Sequence, residues 1–274
     1  MLQTQPKALL IDITRCIGCK ACVGACMEEH GLTGDPEKVT GLSAKSLTAV
    51  TTHGDLFVRE LCRHCLTPSC ASVCPVKAFE KTAAGPVVYD ASRCMGCRYC
   101  MQACPFNVPR YTWNKPVPSV VKCDFCAKRQ AAGKQTACAE ACPAEATVFG
   151  TRAELLAEAH KRIAENPGTY YPHVYGEAEV GGTSMLFLSP VPFEELGFRT
   201  DLPQKPLPEL TQAALGRIPG VVSIGGSLLA GVWWITHRRE VVARAEAAEA
   251  EAKRHGVLRG TDRKFEKEDD HERP

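Results

Sequence analysis

The chain has 274 residues, 45% hydrophobic and 23% charged, so it can bury a core and is not disordered as a whole. A net charge of +2 leaves no footprint for nucleic acid. Its 16 cysteines all lie between Cys16 and Cys142 in close runs, which argues against an evenly stapled disulfide scaffold and for metal.

The opening MLQTQPKALLID shows no apolar signal stretch, cleavage site or twin arginine, so no export signal of the chain's own is expected. It leads directly into a first quartet, Cys16, Cys19, Cys22 and Cys26. Residues 27–61 read as an insertion with no defined pattern. The second quartet is Cys62, Cys65, Cys70 and Cys74, followed by Pro75. The run AFEKTAAGPVVYD then reads as strand, turn, strand. A third quartet, Cys94, Cys97, Cys100 and Cys104, is followed by Pro105. The fourth is Cys123, Cys126, Cys138 and Cys142, followed by Pro143.

Beyond the cysteines, ATVFG reads as a strand. Thr151 and Glu154 form a capping box that opens a helix over 152–165, ended by Asn166-Pro167-Gly168. Residues 170–200 read as a strand and loops covering the cysteine-bearing part. The stretch 201–217 begins as a Pro-rich linker, DLPQKPLPEL. Ile218–Thr236 is an uncharged run of 19 residues, flanked by Arg217 and by His237-Arg238-Arg239. As a helix it spans about 28 Å, against about 30 Å of hydrocarbon. Trp233 and Trp234 suit a membrane interface, and Ser223, Ser227 and Gly231 give one face small enough for a partner helix. The competing reading is a buried soluble helix. In the charged tail, 238–274, the first half reads as a solvated helix and FEKEDDHERP as disordered. The expected organisation is therefore a cluster domain over 1–150, the helix and covering segment over 151–200, the linker, a membrane helix over 218–237, and the tail.

The spacing Cys-x2-Cys-x2-Cys wraps three thiolates around one cubane, and the fourth cysteine, three residues on and followed by proline, serves the other cluster of a two-cluster ferredoxin. The first and third quartets have this spacing. Structural zinc is the competing reading, and the fourth quartet alone could pass for a zinc ribbon. Three cysteines within seven residues suit a cubane better. Every quartet is complete, so four [4Fe–4S] clusters and no [3Fe–4S] cluster are expected. Lys20, Arg63, Lys77, Arg93, Arg98 and Lys122 lie among the ligands. Cations there raise reduction potentials, although most of these read as ordinary solvated charge. His30, His53, His64 and His173 read as loop or interface residues, and His237 as a membrane-boundary residue. No nucleotide loop or open metal site appears, so no catalytic residue is expected.

These residues resemble the four-cluster iron–sulfur subunits of bacterial membrane-bound oxidoreductases over residues 8–240. CMGCRYCMQACPFNVPRYTWNKP and YYPHVYGEAEVGGT are similar to the iron–sulfur subunit of hydrogenase-2-type [NiFe]-hydrogenases. LIDITRCIGCKACVGAC and LSAKSLT are similar to the β subunit of respiratory formate dehydrogenase. The resemblance implies an α+β fold of two pseudo-twofold dicluster-ferredoxin modules with a single C-terminal transmembrane helix. It pairs the first quartet with the fourth and the second with the third. Cys16, Cys19 and Cys22 then share a cluster with Cys142, and Cys123, Cys126 and Cys138 with Cys26. Cys62, Cys65 and Cys70 share one with Cys104, and Cys94, Cys97 and Cys100 with Cys74. The implied partners are a catalytic subunit, carrying nickel–iron or molybdopterin, and a membrane cytochrome b or quinone-binding subunit met through 218–237. The hydrogenase-type subunit usually carries a twin-arginine signal, whereas the formate dehydrogenase β subunit is exported with its partner.

Five basic residues follow the helix within eighteen positions (Arg238, Arg239, Arg244, Lys253, Arg254), against Arg199, Lys205 and Arg217 before it. The positive-inside rule places the tail in the cytoplasm and the clusters on the periplasmic face of the inner membrane. A complex facing the cytoplasm is the alternative.

Overall fold

The computed structural model describes residues 5–114 and 118–254. It divides into two compact units, Met1–Gln212 and Ala213–Pro274.

The first unit is organised by a three-stranded sheet whose central strand is the first of the chain. Strand β1 (Lys7–Asp12) is followed by helix α1 (Ala21–Glu29) and a hairpin, β2 (Thr48–His53) with β3 (Leu56–Leu61). A short helix α2 (Ser69–Ser72) and the hairpin of β4 (Phe79–Lys81) with β5 (Val87–Tyr89) come next. The pattern then repeats as α3 (Tyr99–Gln102) and the pair β6 (Arg110–Tyr111) with β7 (Val120–Val121). Helices α4 (Ala127–Ala131) and α5 (Ala137–Glu140) precede β8 (Thr147–Thr151), α6 (Arg152–Glu165) and β9 (Met185–Leu188).

β1 pairs antiparallel with β8 and parallel with β9, so Leu10 lies beside Val148 on one side and Leu186 on the other. Alternate side chains leave opposite faces of a strand. Ala8, Leu10, Leu186 and Leu188 therefore pack with Leu155 and Ala159 of α6 on one face. Leu9, Ile11, Met185 and Phe187 pack with Phe125 and Cys138 on the other. The sheet is thus a wall between α6 and the cysteine-bearing region.

Residues 27–61, read from the sequence only as an insertion, fold into the β2–β3 hairpin behind a short turn at Pro36–Lys38. The capping box is present: Thr151 and Glu154 bond reciprocally, and α6 covers the expected 152–165. The segment 170–200 does more than cover, because its strand β9 is an edge of the central sheet.

The described residues of the second unit are mostly helical. Helix α7 (Leu207–Leu215) straddles the boundary between the units and lies within the Pro-rich linker expected over 201–217. Pro208 sits in its first turn, where a missing N–H costs nothing. Helix α8 (Ile218–Arg254) carries the apolar run and continues through the first half of the tail. It is long and apolar enough to cross a membrane, and Val221, Leu228, Leu229 and Trp233 are exposed along it. Trp233 stacks on His237 with ring centroids 5.1 Å apart. The terminal stretch FEKEDDHERP lies outside the described residues.

Candidate metal centre

The first Cys-x-x-Cys turn of each quartet is built the same way. The residue before its second cysteine takes a left-handed conformation: Gly18 (φ 68°), His64 (47°), Gly96 (74°) and Phe125 (61°). This curls the backbone so that amides face the thiols. The Gly96 amide donates to Cys94 Sγ at 3.4 Å, and the Phe125 amide to Cys123 Sγ at 3.3 Å. A second device follows each Cys-Pro, where Lys77 (φ 50°), Asn107 (49°) and Glu145 (48°) are also left-handed. The next amides of two of these turns return to the cysteine, Ala78 N–H to Cys74 Sγ at 3.2 Å and Val108 N–H to Cys104 Sγ at 3.5 Å. Cys26 has no proline after it, and α1 runs on through it to Glu29.

Two quartets are also positioned from upstream. Asp12 accepts from the amide and hydroxyl of Thr14, and Asp90 from those of Ser92. Each carboxylate caps one short helical turn that delivers the next cysteine, Cys16 or Cys94. The repeat Asp-x-Thr/Ser-Arg-Cys stands in the sequence at both places and is the signal that identifies this device.

The cysteines gather across the chain. One cavity is lined by Cys16, Cys19, Cys22 and Cys142, with Ile11, Val50 and Arg59 in its wall. Another is lined by Cys62, Cys65, Cys70 and Cys104, with Arg63, His64 and Lys122. Cys126 interacts electrostatically with Cys138 and Cys26, and Cys123 with the same two. Cys100 interacts with Cys94 and Cys97, and packs with Cys74 beside Phe79 and Tyr111. Three further proximities link these sets in a row: Cys22 to Cys138, Cys123 to Cys62, and Cys70 to Cys100. All sixteen cysteines are unbridged, and Cys19 alone is exposed.

Burial pushes several of these thiols up, Cys70 and Cys126 to about 12. Cys138 moves the other way. Burial works to raise it, but the charge of the facing Arg59 guanidinium together with hydrogen bonds from Arg59 and with Thr136 outweighs burial and leaves it lowered. The apolar walls, four converging thiols and inward amides fit a group that binds through thiolate sulfur and carries net negative charge.

The cations divide. Arg93 pairs with Asp90 at the surface, and Arg98 lies over Trp113 at 4.8 Å. Arg63 is not a solvated charge. Its Nε and Nη1 are buried without hydrogen-bond partners, its guanidinium lies 4.1 Å over the Phe187 ring, and burial pushes it down to about 10. Lys122 donates to the Val87 carbonyl in the wall of the same cavity. His64 is fully buried, with Nδ1 accepting from the Val87 amide, and burial drives its pKa well down. His30 bonds Asp124 at 2.9 Å beside Cys26. His173 bonds Glu179 at 2.6 Å in the covering segment.

The 4Fe-4S dicluster domain family matches residues 54–152. A protein of Nitratidesulfovibrio vulgaris is 46% identical over 258 residues, covering 88% of this chain and 70% of the relative. The hydrogenase-2 operon protein HybA of Escherichia coli O157:H7 is 38% identical over 241 residues, covering 72% of each. The nitrate-inducible formate dehydrogenase iron–sulfur subunit of Escherichia coli K12 is 37% identical over 199 residues, covering 66% of this chain and 67% of the relative. With its cysteine-lined cavities, its dicluster domain and these relatives, the chain belongs to the family of 4Fe–4S iron–sulfur electron-transfer subunits that includes HybA and the formate dehydrogenase iron–sulfur subunits.

Proposed function

We propose that the chain holds four [4Fe–4S] clusters and relays electrons between a catalytic subunit and a membrane subunit, with no catalytic residue of its own. The observation that carries this reading is the lining of the two cavities, each with three cysteines of one run and the last cysteine of another. The ligand sets are then Cys16, Cys19, Cys22 and Cys142; Cys123, Cys126, Cys138 and Cys26; Cys62, Cys65, Cys70 and Cys104; and Cys94, Cys97, Cys100 and Cys74. The row of proximities supports this order for a linear path. Its two ends carry exposed apolar residues, Ile17 at the first and Met95 and Tyr99 at the last.

Bound clusters of this type supply one-electron chemistry over a potential range set by charge, hydrogen bonding and exposure. The residues of this chain do the rest. Sixteen thiols give up protons to become ligands. Left-handed turns aim amides at the sulfurs, and Ile11, Val50 and Phe106 exclude water.

The catalytic partner is a [NiFe]-hydrogenase large subunit. The longer alignment with HybA favours it over a formate dehydrogenase. A molybdopterin partner is the second reading, supported by nearly equal identity to the formate dehydrogenase subunit. Helix α8 anchors the chain in the inner membrane against a cytochrome b or quinone-binding subunit, with the clusters on the periplasmic face. The basic residues after the apolar run support that orientation. Elemental analysis of the detergent-purified complex tests the whole reading. About sixteen iron per copy of this chain, beyond what partners hold, supports four clusters. Nickel identifies the hydrogenase, and molybdenum or tungsten the alternative.

A further inference from the structure

Strand β3 carries an arginine into the cysteine-bearing core. Arg59 is 3% exposed. Its Nε donates to Thr48 Oγ1 at 3.1 Å and its Nη1 to Thr147 Oγ1 at 3.2 Å. Both acceptors are neutral. The titratable groups that face it are thiols, Cys138, Cys22 and Cys123, and no carboxylate stands among its main interactions. An arginine does not shed its charge in a protein. A buried guanidinium without a countercharge is strongly disfavoured, so something anionic belongs beside it.

Its position indicates what. Arg59 is in the wall of the cavity formed by Cys16, Cys19, Cys22 and Cys142. It also interacts with Cys138, from the set with Cys123, Cys126 and Cys26. Lys20 lines the same cavity but directs its ammonium to the Glu37 carbonyl at 2.5 Å. Arg63, four residues on from Arg59, serves a different cavity from inside a cage that includes Phe187 and Phe198.

We propose that Arg59 is a positioning residue for electron transfer, a fixed cation shared by the first two cluster sites that raises both potentials. The inference rests on the ligand sets proposed above. Reduction adds one negative charge to a cluster and moves no bond or proton of the chain. A cation between two such sites favours the added electron at either one.

The test uses the intact detergent-purified complex, with iron content and an EPR-monitored redox titration as readouts. In Arg59→Met, with full iron, two of the four clusters become at least tenfold harder to reduce, about 59 mV for a one-electron couple, and the other two are unmoved. Arg59→Lys, which keeps the charge, restores at least half of that shift. Full iron with four unmoved potentials overturns the proposal, as does an equal shift of all four. If Arg59→Met loses iron, Arg59→Gln, neutral but able to bond Thr48 and Thr147, carries the same test. Loss of iron from both neutral variants while Arg59→Lys stays loaded supports a countercharge. Loss from all three overturns it in favour of packing alone. A wild-type iron content short of four clusters instead defeats the ligand assignment, independently of Arg59.

Discussion

Asp12 at the end of β1 meets Arg162 of α6 at 3.0 Å, with 1% of the Asp12 side chain exposed. The same carboxylate accepts from the Tyr170 hydroxyl at 2.9 Å, and its other oxygen caps the turn that delivers Cys16. One buried side chain thus ties α6 to the first cysteine loop. Removing one partner of a buried pair costs about 3–5 kcal/mol. Asp12→Ala should lower the thermal unfolding midpoint clearly and reduce cluster occupancy at Cys16. Wild-type stability in that variant would show the contact to be dispensable.

Exchange of ligands between runs gives a sharper prediction. Cys142→Ser should remove about four iron per chain and abolish the EPR signal of the cluster that also uses Cys16, although Cys142 is far closer in sequence to Cys138. On the proposed linear path, quinone reduction should stop while artificial dyes still accept electrons at the catalytic subunit. Persistent quinone reduction would speak for a branched path.

Gly18 combines a left-handed φ of 68° with the Phe57 ring 2.5 Å from where a Cβ would stand. An L residue in that conformation costs about 1–2 kcal/mol, before any displacement of Phe57. Gly18→Ala should therefore impair assembly of the first cluster, read as lost iron. Gly96→Ala has the same backbone demand but open space around it, so its loss should be smaller.

The His173–Glu179 pair gives a pH dependence with a definite sign. The hydrogen bond to Glu179 raises His173 above its ordinary value. Burial works to raise Glu179, but its bonds to His173 and the Gly176 amide win and leave it lowered. The histidine contribution is full below about pH 6.5 and fades as pH rises through the raised value. The glutamate contribution is full above about pH 4.5 and fades as pH falls through the lowered one. The stability difference between wild type and His173→Gln should peak between these limits and shrink above neutrality, by denaturant titration at several pH values. A difference independent of pH would mean that the pair is not ionised.

Deleting residues 218–274 should release a soluble complex that keeps its cluster content, because the sheet and cysteine sites lie in the first unit. Retention of the truncated chain in the membrane fraction at full yield would make the partner subunit the anchor.

Much of this was determined locally and was therefore legible in the sequence. The Cys-x-x-Cys turns need only a left-handed residue and a short helix after it. The capping box at Thr151 closes within one turn, and the apolar run of α8 is a property of composition. Other features depend on partners far along the chain. The β2–β3 hairpin in 27–61 carries a local signal, Gly54-Asp55 between two strand-forming runs, that a reading of this stretch as an insertion passes over; β9 is fixed by pairing with β1, so only folding reveals its place in the core. Helix α7 within the Pro-rich linker 201–217 was not legible, because prolines that discourage a helix interior are admitted in its first turn. Arg59 is one charge in the run Leu56–Leu61, and its sequence position resembles that of any exposed strand arginine. Its burial beside two sets of thiols is decided by the residues that fold around it, Thr147 of β8 and Cys138 of α5 among them, because a cation's environment is set by what surrounds it in space rather than along the chain.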